Sequence, residues 1–175
     1  MKLRWRLPKG CKGKDLELLL KSFSDADWAG DPSTRRSTTG QAHFLNGLFC
    51  GWSSKIQIPL TLSSTESETV ALSATGRAAR GMENLLREVL QFLTFVIRVE
   101  LVGDNHASLF IAEGEAGLRK VRHLELADLY CRVLAARDRW SVSTIGTAFN
   151  GADLGTKVLG APELRRLREL VGIVT

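Results

Sequence analysis

The stretch SFSDADWAGDPSTRRSTTG, Ser22 to Gly40, puts Asp25, Asp27 and Asp31 close together beside Phe23 and Trp28 and follows them with Arg35 and Arg36. Ahead of it the chain is aliphatic, so LELLLKSFSDADW (16–28) reads as a strand that runs out into acids. A surface loop could carry such charges idly, whereas a strand end opening on a cleft would hold them for a metal. DPSTRRSTTG reads as turn chemistry: Pro after Asp, then small hydroxyls, then Gly. QAHFLNG and LFCGWSSKIQ are short apolar runs joined around Asn46-Gly47, a strong hairpin dipeptide. The first third therefore predicts three consecutive antiparallel strands.

The next stretch, STESETVALSATGRAARGMENLLREVLQFL (64–93), has a different period. Ala71, Ala74, Ala78, Met82, Leu85, Val89 and Leu93 recur at helical spacing, which predicts one long helix packing through that face. Ser63-x-x-Glu66 and Thr65-x-x-Glu68 both fit the capping-box pattern at its start, and Gly76 and Gly81 weaken it. FVIRVELVGD alternates as a strand, NHASLFIAEGE is a short helix, and VRHLELADLYCRVLAARDR a longer amphipathic one. WSVSTIGT is a fifth strand, NGADLGTKVL opens a short helix capped by Asn150, and a last helix begins at Pro162. The order β-β-β-α-β-α-α-β-α predicts an α/β fold: a five-stranded mixed sheet with helices on both faces.

Residues 1–15 form a basic lead-in, and 16–175 the folded domain. The 175 residues carry a net charge of +5, with hydrophobic residues at 44%, a globular composition that weakly favours an anionic partner. Cys11, Cys50 and Cys131 make no metal or disulfide pattern and suit a reducing compartment. Nothing approaches the ~20 apolar residues of a membrane span, and the basic N-terminus lacks a secretory pattern. The expected location is intracellular, cytoplasmic or nuclear, and not secreted.

Four acids fall at element edges: Asp25 ends the first strand, Glu68 opens the long helix, Asp104 ends the fourth strand and Asp153 opens the late helix. Helical spacing favours Glu68 over Glu66, because Glu68 shares a face with Ala71, Thr75, Ala78 and Met82. No such argument separates Asp25 from Asp27, since both lie on one side of a strand. Each acid also has a local explanation: a helix-dipole partner for Asp153, a capping acid for Glu68, a turn for Asp104-Asn105. Carboxylates gathered at the carboxyl ends of strands, however, would suit hard cations such as magnesium.

The blocks SDADWAGDPSTRRSTTG, GWSSKIQ, LSSTESETVALS, GDNHAS, RHLEL and ADLGTK, in this order over roughly residues 22–173, resemble the ribonuclease H domain of copia-type retrotransposon polyproteins. The resemblance implies a ribonuclease H-like fold and hydrolysis of the RNA strand of RNA–DNA hybrids. It implies two Mg2+ ions, with Mn2+ as an alternative, that activate a water and stabilise the departing 3′ oxygen. The family's first catalytic Asp falls on Asp25, with Asp27 as near rival; its Glu falls on Glu68, its third carboxylate on Asp104 and its fourth on Asp153. Asp25 would bridge both ions, Glu68 and Asp104 would complete one site and Asp153 the other.

Candidates for contacts to the hybrid are Arg35, Arg36, Lys55, Ser64, Thr65 and Asn105. The chain departs from the family pattern at Thr69, where tyrosine is usual, at VRHLE (121–125) and TKVL (156–159), and at Leu129, where a second His is expected. His123 is read as structural, and Trp28 and Trp52 as core aromatics. The one tyrosine, Tyr130, excludes a Tyr-x-Asp-Asp polymerase motif, so the chain reads as an isolated or truncated domain whose parent polyprotein would supply a reverse transcriptase. The alternative reading is a catalytically weak or domesticated relic that serves as a nucleic-acid-binding or interaction module.

Overall fold

The hairpin at Asn46-Gly47 is the local feature that starts the sheet. Both residues take positive φ, 49° and 78°, as a type I′ turn needs, and only Gly does so without strain. The turn joins β2 (Thr38–Leu45) to β3 (Leu48–Ile56), and β2 pairs antiparallel on its other side with β1 (Leu16–Asp27). The structure, a computed structural model, describes residues 16–113, 129–138 and 140–173. The basic lead-in and His123 lie outside those residues.

β4 (Phe95–Gly103) and β5 (Ser141–Thr144) pair parallel, and the sheet order is β3-β2-β1-β4-β5. Helices α1 (Ser64–Val89), α2 (His106–Glu113) and α3 (Tyr130–Asp138) pack against one another and cover one face. The other face receives a 3-10 turn, Gly151–Gly155, and α4 (Ala161–Leu170). Alternate residues of β2 divide the two layers: His43 lies beside its β3 partner Gly51 on the side where a Cβ at Gly51 would meet Met82 of α1, while Ala42 and Phe44 lie next to Gly151 on the other. The predicted mixed sheet, with its antiparallel first three strands and two-sided helices, is the observed one.

The core lies between β1, β4 and the helices. Leu18 and Leu20 of β1 and Ile97, Val99 and Leu101 of β4 meet Leu72, Ala79, Leu109, Leu134 and Trp140. The period of two along both strands makes this a continuous apolar layer. Gly76, which lowers helix propensity, stands where a Cβ would come within 2.5 Å of Leu134 Cδ1, so it lets α3 approach α1 closely.

Three expectations are corrected. The expected row of α1 holds at its start, where Ala71 is buried, and at Met82, which packs on the core, but not at Leu85 and Val89, which are exposed; Leu72, Thr75, Gly76, Ala79 and Glu83 are the buried positions further along. The helix stops at Val89, before Leu93, and its last turn meets the core through Leu86 and the following Leu90 instead. Trp28 and Trp52 are 47% and 71% exposed rather than core. Trp52 sits on the edge strand β3, and Trp28 stands just past the end of β1, its indole N–H donating to the Thr61 carbonyl at 3.2 Å. Finally, β2 starts at Thr38, inside the stretch read as turn, because Thr38, Thr39 and Gly40 pair with Asp27, Ala26 and Asp25.

Candidate active site

Asp25 and Asp104 are set side by side by strand register. β1 and β4 pair in parallel from Leu16↔Phe95 to Phe23↔Val102, and two residues further the same register reaches Asp25 and Asp104. Glu68 arrives from the second turn of α1, whose start is fixed by its cap. Ser63 Oγ accepts from the Glu66 N–H at 3.2 Å, and Glu66 Oε2 accepts from the Leu62 N–H at 2.7 Å. Of the two capping-box candidates, Glu66 therefore serves the cap, leaving Glu68 to point at the sheet, where its Oε1 accepts from the Ala26 N–H at 3.3 Å. Asp25, Glu68 and Asp104 each offer an oxygen, and the three lie within 4.8 Å of one another.

The opening cluster of acids separates into three roles. Asp25 is 1% exposed and joins this group. Asp27 stands half-buried at the end of β1, with its carboxylate close to Gly30. Asp31 closes the following turn: its Oδ1 accepts from the Ser33 N–H at 2.9 Å and its Oδ2 from the Thr34 hydroxyl at 2.7 Å. The hydroxyls of Thr34 and Ser33 hold the Asp31 carboxyl well below the usual range.

Asp153 comes from the opposite face of the sheet. Asn150, fully buried, caps the 3-10 turn through Oδ1, which accepts from the Ala152 N–H at 3.1 Å. Its Nδ2 donates to the Ser24 carbonyl at 2.9 Å, tying the turn to β1 one residue before Asp25. Gly40, the partner of Asp25 in β2, makes room for the turn: a Cβ there would lie 2.4 Å from the Ala152 carbonyl oxygen. Asp153 is 2% exposed and lies outside the group of three, but it shares Lys157 with Asp25. The Lys157 Nζ is 3.4 Å from Asp25 Oδ2 and 3.5 Å from Asp153 Oδ1, and the Thr156 hydroxyl donates to Asp25 Oδ2.

Crowding four acids has a visible electrostatic consequence. Burial, then the Asp25 and Asp104 charges, push the Glu68 carboxyl up to about 9, against the relief given by the Ala26 N–H and Lys157. Burial and the Asp25 charge likewise push Asp153 up to about 7, while Lys157 pulls it down. Burial disfavours the Lys157 ammonium, but Asp25 and Asp153 outweigh it and raise its pKa. Carboxylate oxygens alone make a hard donor set, and like charges held together in low dielectric call for a cation. The residues present therefore fit a hard divalent ion.

The substrate-contact candidates lie toward the same end of the sheet without entering the cluster. Lys55 pairs with Thr39 in β3, two strands across from Ala26, and is exposed. Arg35 and Arg36 are exposed in the loop before β2; Arg36 reaches the Gln57 carbonyl at 3.5 Å. Ser64 and Thr65 form the first turn of α1 ahead of Glu68. Asn105 is occupied locally, its Oδ1 capping α2 by accepting from the Ser108 N–H at 3.1 Å. Sequence reasoning assigned no role to Thr156 or Lys157 and gave Asn150 only a helix cap. For Lys157 a signal was present, since Asp153 and Lys157 stand at i,i+4 spacing.

A five-stranded mixed sheet in the order β3-β2-β1-β4-β5, with helices on both faces, is the ribonuclease H-like fold. The structure is similar to LC11-RNase H1 isolated from compost (TM-score 0.57, 16% identity, covering 80% of this chain and 92% of that one). It is also similar to RNase H1 of the archaeon Halobacterium salinarum NRC-1 (TM-score 0.54, 17% identity, 80% and 94% covered). Sequence relatives that cover most of the chain include retrovirus-related Pol polyproteins of plant transposons, in agreement with the copia-type motifs. The polyprotein from transposon TNT 1-94 of Nicotiana tabacum is 29% identical over 156 residues, 89% of this chain and 11% of that protein. That from transposon RE2 of Arabidopsis thaliana is 27% identical over 157 residues, 90% of this chain and 11% of that protein. The chain thus spans about a tenth of the length of these relatives. No protein-family model matches it.

Proposed function

We propose that the chain is a metal-dependent ribonuclease H that hydrolyses the RNA strand of RNA–DNA hybrids, with Asp25, Glu68, Asp104 and Asp153 as its catalytic carboxylates. The convergence of the Asp25, Glu68 and Asp104 oxygens within 4.8 Å, on this fold, is the observation that carries the reading. Asp25, Glu68 and Asp104 would hold one Mg2+ and Asp25 with Asp153 a second; bound there, the ions supply Lewis acidity toward a phosphodiester and a water. Asp25, common to both sets, is held in place by the Thr156 hydroxyl and by its pairing with Gly40 of β2. Glu68 is aimed by the Ala26 N–H, which holds its carboxyl beside Asp25.

Arg35, Arg36 and Lys55 would meet phosphates of the hybrid, and the first turn of α1, with Ser64 and Thr65, would meet the 2′-hydroxyl that distinguishes RNA. Asn105 would act from the start of α2. The reaction belongs inside the cell, in line with the free Cys50 and Cys131 thiols, and the hybrid would be delivered by a reverse transcriptase of a parent polyprotein. Among the described residues no helix is long and apolar enough to cross a membrane. The test is cleavage of a labelled RNA–DNA hybrid with Mg2+, beside matched duplex DNA and double-stranded RNA. Cutting of the RNA strand of the hybrid alone is expected. Binding without cutting would make the chain a nucleic-acid-binding module, and cutting of duplex DNA would make it a different nuclease on the same fold.

A further inference from the structure

Asp25 faces two different neighbourhoods. On one side it belongs to the all-carboxylate group with Glu68 and Asp104; on the other its Oδ2 meets the Thr156 hydroxyl and the Lys157 ammonium, which also reaches Asp153. Asp25 and Asp153 have side chains 2% exposed, whereas the Lys157 side chain is 38% exposed and comes in from the solvent side. A lysine so placed is a compact charge on a flexible four-carbon stem, able to swing out without disturbing the core. A divalent cation shared by Asp25 and Asp153 would sit between the same two carboxylates that this ammonium joins, at a separation where two positive charges repel strongly.

We propose that Lys157 is a built-in counter-ion that competes with the second divalent cation, so that one cation binds first among Asp25, Glu68 and Asp104 and the second enters only as the Lys157 ammonium withdraws into solvent. The inference rests on the reading of the cluster as a cation site. It gives the two ions an order of binding and an unequal affinity, and it explains how two buried acids stay together on the Asp153 side.

The experiment is isothermal titration of the chelator-treated full chain with Mn2+, comparing wild type, Lys157→Gln and Lys157→Arg. Wild type should show a tighter and a weaker step. K157Q should tighten the weaker step roughly tenfold, the size expected for removal of one partly exposed competing charge, while K157R, which keeps the charge, should not. A second measurement uses wild type alone and does not depend on how the variants fold. Acylation of lysines read by mass spectrometry should speed up severalfold at Lys157 when Mn2+ saturates both steps, with exposed Lys55 as the unchanged reference. A K157Q isotherm equal to wild type, a K157R isotherm matching K157Q, or Lys157 acylation that Mn2+ leaves unchanged or slows would each overturn the inference. Absence of any Mn2+ binding to wild type would sink the cation-site reading itself, which keeps the two failures distinct.

Discussion

Glu68→Gln should make the protein more stable and inactive at once. Burial and the neighbouring Asp25 and Asp104 charges push the folded-state pKa of Glu68 from 4.5 to about 9. At pH ~7.5 the folded protein holds a proton on Glu68 that the unfolded chain has released. The gap of roughly three units from the unfolded value corresponds to about 4 kcal/mol lost from stability, and halving it for relaxation of a charged cluster leaves about 2 kcal/mol. Gln keeps an Oε1 acceptor for the Ala26 N–H and gives its amide hydrogens to the Asp25 and Asp104 carboxylates, without this loss. For a domain of this size that is a rise of about 4–8 °C in melting temperature in chelator.

The sign follows from proton binding. Between 4.5 and 9 the folded state binds the proton more tightly than the unfolded state, so wild-type stability falls as pH rises through that window. The E68Q advantage should be near zero at the acid end and largest near the alkaline end. Millimolar Mg2+ should reverse the order, because a bound cation stabilises wild type by mass action while E68Q has lost a ligand. The assay is thermal melting by circular dichroism across pH, with chelator or Mg2+, alongside hybrid cleavage. An E68Q protein that melts lower than wild type at alkaline pH in chelator would refute the argument, since Glu68 would then be an ordinary satisfied polar group.

Asp25→Asn should abolish hybrid cleavage, whereas Asp27→Asn should keep it within about threefold, because only Asp25 joins the carboxylate group; steady-state rates decide between them. Asn150→Ala removes the bond to Ser24 and the cap on Ala152 and should cost about 2–3 kcal/mol in urea unfolding, with the apparent Mg2+ requirement for cleavage rising. Leu167→Ala, on the inner side of α4, should cost about 2–5 kcal/mol and weaken the second Mn2+ step more than the first, read by titration calorimetry.

How much of this was written in the sequence depends on whether an element is governed by local chemistry. The strands announced themselves by alternation, and the Asn46-Gly47 turn by its dipeptide, because those preferences are set by neighbouring backbone atoms. The face of α1 was misjudged because small residues surround the helix, so spacing alone could not say which row meets the sheet. Close approach adds to it: with no side chain at Gly76, Leu134 of α3 comes up against the helix there, beside buried Leu72 and Ala79. Asp25 and Asp27 were indistinguishable in periodicity, and only the position of β4 and Glu68 separates them. Asn150 was readable as a cap, but its bond to Ser24 spans 126 residues and has no local signature.

The placement of the cluster at the strand ends is a consequence of the two-layer packing. Glu68 descends from the α1 side and Asp153 from the α4 side, and a hydrogen-bonded sheet lies between them. Two carboxylates from opposite faces can share a neighbour only where the sheet stops. That condition is met just past Phe23↔Val102, where the β1–β4 ladder stops: Asp25 lies two residues further along β1, still paired with Gly40 of β2, and Asp104 directly follows β4. Asp25 is then fixed by strand register, Asp104 by the end of β4 just before it and Glu68 by a capped helix, but Asp153 depends on Gly40 leaving space and on Asn150 holding β1. It is also the one that brings its own cation, Lys157, at i,i+4. A fold that joins like charges from both faces of a sheet needs a positive charge at the seam, and the lysine provides one from the same short turn as the acid it accompanies.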